Sequence, residues 1–143
     1  MKKELKNILV FNVNWMGDVI FSSPVFQALK ENYPDARVSC VGVPRVYEVL
    51  KAISTIDEVI VFDEDHKHKG WGLLKFIFEI RRGKYDAAFI LHKSLTRALL
   101  VYLAGIPARV GYDTKKRGAF LTHKVLPREN TMHRGDFYLN ILE

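Results

Sequence analysis

Short apolar segments alternate with segments of helical periodicity along most of this chain, and no other sequence feature restricts the fold as strongly. The apolar segments are rich in Val, Ile and Phe and are too short to be buried helices, so they are predicted to be strands. Strands that alternate with helices form right-handed βαβ units, which predicts an α/β fold: a Rossmann-like parallel sheet with helices on both faces. The predicted strands are residues 7–13, 36–43, 58–63, 85–91 and 108–113, and the predicted helices are residues 18–33, 44–53, 70–83 and 94–105.

The rest of the chain is less regular. Residues 114–127 are predicted to form a loop with one short extended segment, and a further helix begins near Met132. A chain of 143 residues fits one domain with a real core. It contains no apolar run long enough for a transmembrane helix, and its basic N-terminus leads into a predicted strand instead of a signal peptide. We therefore expect a cytoplasmic protein, in which the single cysteine, Cys40, is a small core residue.

The stretch NVNWMGDVIFSSP, residues 12–24, joins the first predicted strand to the first predicted helix. Gly17 allows positive φ or the close approach of another molecule, and Asp18 would lie where a helix N-terminus favours the ionised carboxylate. The glycine spacings of dinucleotide and triphosphate loops are missing. Asp18 is thus interpreted either as a helix cap or as a general base that binds a hydroxyl group. Ser23 is a second candidate for the N-cap, with Pro24 in the first helical position.

The predicted carboxyl ends of the strands carry many cations. Parallel sheets bind ligands at that edge, at a topological switch point. A net charge of +6 also favours anionic partners. Asn14 follows strand one, and the basic residues expected around Asp18 are Arg45, Lys93, Arg97, Lys115, Lys116 and Arg117. This basic surface suggests an anionic ligand with a hydroxyl group, although loops carry charge in any protein.

Two other features leave fewer functions open. The helix predicted at residues 70–83 is apolar over a wide arc, so it is either buried against the sheet or rests partly on an anionic membrane surface. The histidines show no metal-ligand spacing, and no serine lies in a nucleophile elbow. Aromatic residues do not interleave with basic ones on a strand platform, which argues against nucleic acid.

Several separated segments resemble one family in the right order. The stretch ILVFNVNWMGDVIFSSPVFQALKENYPDARV resembles the opening of the ADP-heptose:lipopolysaccharide heptosyltransferases, glycosyltransferase family nine, and its N-W-x-G-D pattern is similar to that of the heptosyltransferase II group. The further matching segments are PRV, EVIVFD, YDAAFIL, AGIPARVGYDTKKRGAFLTHKV and HRGDFYLNIL.

This resemblance implies the N-terminal half of a GT-B glycosyltransferase. Residues 1–143 would be a single Rossmann-like domain that binds the acceptor, the lipopolysaccharide inner core with its Kdo or heptose sugars on lipid A. ADP-heptose would be the co-substrate, held mainly by a C-terminal donor domain that is absent from this chain, and no cofactor or metal is implied. We therefore expect this chain alone to be inactive.

The resemblance also implies roles for residues. Asp18 falls on the position of the family's catalytic base, and Gly17 belongs to the same motif. The remaining candidates for acceptor binding, chosen for their places at strand ends, are Asn14, Arg45, Lys93, Arg97, Lys115 and Arg117. Peripheral contact with the inner membrane is expected because the acceptor is a lipid. The alternative is a non-catalytic module that binds anionic glycolipid or a membrane surface.

Overall fold

The computed structural model describes residues 5–12, 16–63, 70–91, 95–112 and 117–125; within these ranges only the backbone is described for Met16, Asp18, Phe21, Arg117, Gly118, Lys124 and Val125. The described residues form one sheet of six parallel strands in the order β3-β2-β1-β4-β5-β6. The strands are β1 (Asn7–Phe11), β2 (Arg37–Gly42), β3 (Glu58–Val61), β4 (Ala87–Ile90), β5 (Ala108–Tyr112) and β6 (His123–Val125).

This sheet confirms the predicted α/β fold and adds one strand to the five expected. The strand β6 lies within the segment that was predicted to be only briefly extended, and it pairs with β5 through Val110 and His123. The central strand β1 is buried from Ile8 to Phe11 because strands with helices on both faces have no solvent side.

The helices follow the predicted alternation. They are α1 (Met16–Asn32), α2 (Tyr47–Lys51), α3 (Trp71–Arg82) and α4 (Leu95–Leu103), with 3₁₀ turns at Pro44–Val46 and Arg117–Phe120. The segment 44–53, predicted as one helix, is therefore a 3₁₀ turn followed by a short α-helix. The helix predicted near Met132 lies outside the described residues.

Helix α1 begins well before Ser23, so the idea that Ser23 caps it was wrong. Pro24 lies inside the helix, where it cannot donate to the carbonyl of Ile20, four residues earlier. The hydroxyl of Ser23 donates to that same carbonyl, with 2.9 Å between the oxygens. The side chain next to the proline thus supplies the missing hydrogen bond, which lets the helix continue.

Two apolar clusters cover the two faces of the sheet. On one face α1 and α2 pack through residues such as Phe26 and Leu50, and on the other α3 and α4 pack through residues such as Phe76 and Val101. Cys40 is buried in the first cluster, as predicted for a core residue. The fold is therefore a three-layer sandwich. The helices leave the ends of the strands, named here the amino edge and the carboxyl edge of the sheet, for other contacts.

Candidate functional site

The order of the strands places the switch point of the sheet beside β1. The chain runs from β1 outward through β2 to β3, and then returns to build β4, β5 and β6 on the other side. Helix α1 starts at the carboxyl end of β1, with Gly17 and Asp18 in its first turn. The turn predicted to be the reactive centre thus lies at the position where parallel α/β sheets bind ligands.

Gly17 faces open space at this edge. Among the described residues, a Cβ atom built on it would meet no heavy atom within 4 Å, counting neither its chain neighbours nor the backbone of its own helix. Its backbone is helical, so positive φ does not explain the glycine. Of the two reasons considered for a glycine here, only the close approach of another molecule fits this geometry.

A buried polar cluster fixes the start of α1 to the sheet. It consists of Asn12, which directly follows β1, together with Ser22 of α1 and Cys40 of β2. Ser22 Oγ lies 3.2 Å from Asn12 Oδ1 and 2.6 Å from the carbonyl oxygen of Val19. Asn12 Nδ2 donates to Cys40 Sγ at 3.7 Å, and the backbone amide of Asn12 donates to the carbonyl of Val41. These bonds hold the first turns of α1 against the carboxyl ends of β1 and β2.

The thiol in this cluster is not a nucleophile. Burial raises the pKa of Cys40 to about 12, although the hydrogen bond from Asn12 opposes this shift. The thiol therefore stays protonated at neutral pH and acts as a weak acceptor for Asn12. The sequence analysis missed Asn12; the available signal was a polar side chain placed directly after a buried strand.

Arg97 is the basic residue whose environment differs most from the prediction. It belongs to the first turn of α4 but is only 4% exposed. Its guanidinium carbon lies 5.9 Å from the ring centre of Phe11 and 5.2 Å from that of Phe62, at the carboxyl ends of β1 and β3. The guanidinium of Arg97 thus lies at the carboxyl ends of the strands, as predicted, but among aromatic rings instead of on an open surface.

The other predicted site residues are only partly described. Arg45 is exposed in the 3₁₀ turn after β2, and this turn contacts α1. Arg117 lies in the 3₁₀ turn before β6. Asn14, Lys93 and Lys115 lie outside the described residues. The structure therefore brings Gly17, Asp18, Arg45 and Arg97 to one edge, and contact of any of them with an acceptor stays a prediction.

The described residues also bear on two further properties, the capacity to hold a metal ion and the capacity to span a membrane. Across the described ranges, no three His, Cys, Asp or Glu side chains are grouped so that they could hold a metal ion. Within the same ranges, the helices are too short or too polar to span a bilayer.

Curated sequences and solved structures then relate the chain to known proteins, although no family model matches it. Lipopolysaccharide heptosyltransferase 2 of Escherichia coli is 29% identical over 124 residues, which are 85% of this chain and 36% of that protein. The crystal structure of a family nine glycosyltransferase from Veillonella parvula is 28% identical, with a TM-score of 0.90 over 99% of this chain. This chain is similar to the N-terminal portion of the family nine heptosyltransferases.

A second solved structure, also of a heptosyltransferase, is similar to this chain. ADP-heptose lipopolysaccharide heptosyltransferase II of E. coli is 25% identical, with a TM-score of 0.82 over 96% of this chain and 40% of that structure. The Veillonella parvula match covers 42% of its structure, so the chain spans well under half of these relatives. The family resemblance and the Rossmann-like fold predicted from the sequence are confirmed. These relatives are glycosyltransferases by name, and none of them supports the alternative of a non-catalytic binding module.

Proposed function

We propose that this chain is the acceptor-binding half of an inverting heptosyltransferase, which transfers heptose from ADP-heptose to the lipopolysaccharide inner core. The observation that carries the proposal is the place of Gly17 and Asp18, in the first turn of α1 at the switch point of the sheet. The similarity to heptosyltransferases supplies the substrates. Heptose transfer would take place at the cytoplasmic face of the inner membrane, where a lipid-borne acceptor is accessible.

Asp18 is the proposed general base. The unpaired amide groups at the start of α1 favour a carboxylate in its ionised form, which is the form that accepts a proton. As the acceptor oxygen attacks the anomeric carbon, its proton passes to Asp18 and the bond from that carbon to the ADP oxygen breaks. Gly17 has no side chain to obstruct the acceptor, in agreement with the open space beside it. A second domain would hold the donor.

The basic residues would bind the anionic groups of the acceptor. Arg45 is exposed in the turn that contacts α1, where its guanidinium can pair with a carboxylate or phosphate. Arg97 would act at longer range, because a buried cation raises the local potential with little screening by solvent. Asn14, Lys93, Lys115 and Arg117 complete the proposed acceptor site.

The deciding test is Asp18→Asn in a longer form of the protein that also includes a donor domain. This change keeps the size and polarity of the side chain but removes the base, so we expect the rate of ADP release to fall about 10² to 10⁴-fold. Thermal unfolding should not change. The matched control is Asp35→Asn, at an exposed carboxylate near the opposite edge, which should keep full activity.

Two results would contradict this proposal. Near-normal turnover by Asp18→Asn would show that Asp18 is not the base. Release of ADP from ADP-heptose by this chain alone would show that it is not merely the acceptor half, since a transition state bound on one side only is poorly stabilised.

A further inference from the structure

Helix α3 carries two apolar faces, and only one of them is covered. Phe76 and Ile80 are buried against the sheet. Trp71, Leu74 and Phe78 point the other way and are exposed by 82%, 46% and 59%. At 3.6 residues per turn these three side chains fall within about 60° of one another, opposite the buried face. They form an outward apolar ridge, named here the α3 ridge.

Cations border the α3 ridge on both sides. The helical wheel places Arg81 on one flank and Lys75 and Arg82 on the other, and all three are exposed. The ion pairs seen between described residues join Lys30 to Asp57 and Arg37 to Glu58, and neither includes a cation of these flanks. The helix also carries Glu79, farther from the ridge than the cations.

The neighbouring helix extends the same surface. Helix α4 contacts α3 on the same face of the sheet and exposes Leu95, Tyr102 and Leu103. Among the described residues every exposed large hydrophobic side chain except Ile20 therefore belongs to α3 or α4. An apolar surface that is concentrated on one layer of a protein marks an interaction site more often than scattered apolar residues do.

We propose that the α3 ridge, with Lys75, Arg81 and Arg82, docks on an anionic lipid bilayer. An exposed tryptophan with apolar neighbours and flanking cations is the pattern of a helix that lies in the membrane interface, where aromatic rings enter the headgroup layer and cations pair with acidic lipids. In a two-fold dimer formed through this ridge, the same cations of the two copies would face one another and repel. The charge of the flanks thus selects anionic lipid over a second copy of the chain.

The direction of α3 gives the docked chain an orientation. Trp71 begins the helix, after the carboxyl end of β3, so the exposed tryptophan belongs to the edge of the sheet that carries Gly17 and Asp18. Arg81 and Arg82 lie toward the opposite edge. A bilayer that receives the α3 ridge would therefore lie beside the acceptor edge. Docking on a bilayer extends the proposed function, because the proposed acceptor is carried by a lipid. The evidence for docking, however, is the exposed surface of α3.

Vesicle flotation of this chain tests the surface without any sugar substrate. Vesicles of phosphatidylcholine mixed with an equal amount of phosphatidylglycerol should bind the chain, and vesicles of phosphatidylcholine alone should bind it at least about five-fold more weakly. Trp71→Ser should lower binding to the mixed vesicles at least about ten-fold. Lys75→Gln should lower it about five-fold.

Each variant has a control on the opposite layer of the molecule. Phe78→Ser should also weaken binding to the mixed vesicles, and its matched control is Ile20→Ser in α1, because Ile20 is exposed by 58%, close to the value for Phe78. Lys51→Gln in α2 is matched to Lys75→Gln, since both lysines are exposed helical residues. Neither control should change binding. Near-identical circular dichroism among the variants would show that folding is not the cause.

Three outcomes would overturn the docking surface. They are the absence of binding to the mixed vesicles, equal binding by Trp71→Ser, and concentration-dependent self-association that Trp71→Ser abolishes, which would make the ridge an interface between copies. Asp18→Asn should bind vesicles normally. Loss of turnover in that variant with unchanged flotation therefore tests the transferase separately from the membrane surface.

Discussion

The amino and carboxyl edges of the sheet differ in how their polar groups are used. At the amino edge the carboxylates hold the backbone together. Asp86 Oδ2 accepts from the amides of Lys6 and Asn7 at 2.9 and 3.0 Å. Asp57 Oδ2 accepts from the amide of Val38 at 2.7 Å and from Lys30 Nζ at 2.6 Å. Charge at this edge therefore serves the fold.

At the carboxyl edge, the cluster that holds the start of α1 consists of neutral groups. Asn12, Ser22 and Cys40 form its buried cluster without a carboxylate. One acidic residue of this edge, Asp18, lies in the first turn of α1 next to Gly17, which has open space among the described residues. The comparison shows that carboxylates join strands at the amino edge, whereas the carboxylate proposed for catalysis begins a helix at the carboxyl edge.

The largest effect on stability should come from Asp86→Ala. This change leaves two backbone amides without their charged acceptor. Because hydrogen bonds to charged groups contribute more than neutral ones, we expect the free energy of unfolding to fall by about 2 kcal/mol. Chemical denaturation measures this loss. The control is Asp35→Ala, at an exposed carboxylate near the same edge, which should change stability by less than about 0.5 kcal/mol. Equal losses in both variants would contradict the special role of Asp86.

A somewhat smaller effect is expected for Asn12→Ala at the other edge. The variant removes the donor to Cys40 and the acceptor of Ser22, and it leaves a small cavity, so we expect a loss of about 1.5 kcal/mol. Labelling of Cys40 by a thiol reagent should follow unfolding and become about ten-fold faster. Unchanged labelling would show that the polar cluster does not hold this edge. Gln27→Ala, at an exposed amide of the same helix, is the matched control for labelling.

The sequence was informative where the determining interactions are local. The alternation of strands and helices and the place of Gly17 and Asp18 follow from hydrophobic period and turn chemistry, which neighbouring residues set. Strand β6 was identified only as an extended segment, because three residues are too few to show a strand period. Pro24 was predicted early in the helix and was also considered as its first position, because the hydrogen bond of Ser23 depends on geometry that a local pattern does not contain.

Burial depends on distant residues, and there the predictions were weaker. Arg97 was expected in an open basic surface, since a charge near a helix start is usually solvated. Its burial requires Phe11 and Phe62, which come from two other strands. Helix α3 was predicted as one broad apolar face, and the structure divides it into a buried side and an exposed side. Periodicity gives the angle between side chains but not which side meets the sheet.

A change at Asp57 should be smaller and should depend on pH. Burial raises the pKa of this carboxyl, but the hydrogen bonds from Lys30 and Val38 and the charges of Lys30 and Arg37 lower it more, so the pKa lies below its ordinary value. A lowered pKa in the folded state contributes stability above the unfolded pKa, about 3.9, and this contribution is lost as pH falls through the folded pKa.

The measurement is a comparison of Asp57→Asn with the unaltered chain across this pH range. Asparagine keeps an acceptor for Val38 and removes the charge, and the partly exposed pair with Lys30 contributes little, so we expect a loss below about 1 kcal/mol at neutral pH. The two unfolding curves should converge in acid. A difference that grew as pH fell would contradict the direction of the shift.

The smallest effect on stability is expected at Gly17, and it gives the sharpest comparison of the two edges. A methyl group there meets no described neighbour within 4 Å, and alanine is a better helix former than glycine, so Gly17→Ala should change unfolding by less than about 1 kcal/mol and in the stabilising direction. If the glycine exists to admit the acceptor, the longer, active form of the protein should nevertheless lose acceptor affinity, seen as a raised KM for the acceptor with little change in the KM for ADP-heptose. At the amino edge the opposite pairing holds, since Asp86→Ala costs stability and should leave both KM values unchanged. A Gly17→Ala protein with an unaltered acceptor KM would show that the open space beside α1 is not where the acceptor binds.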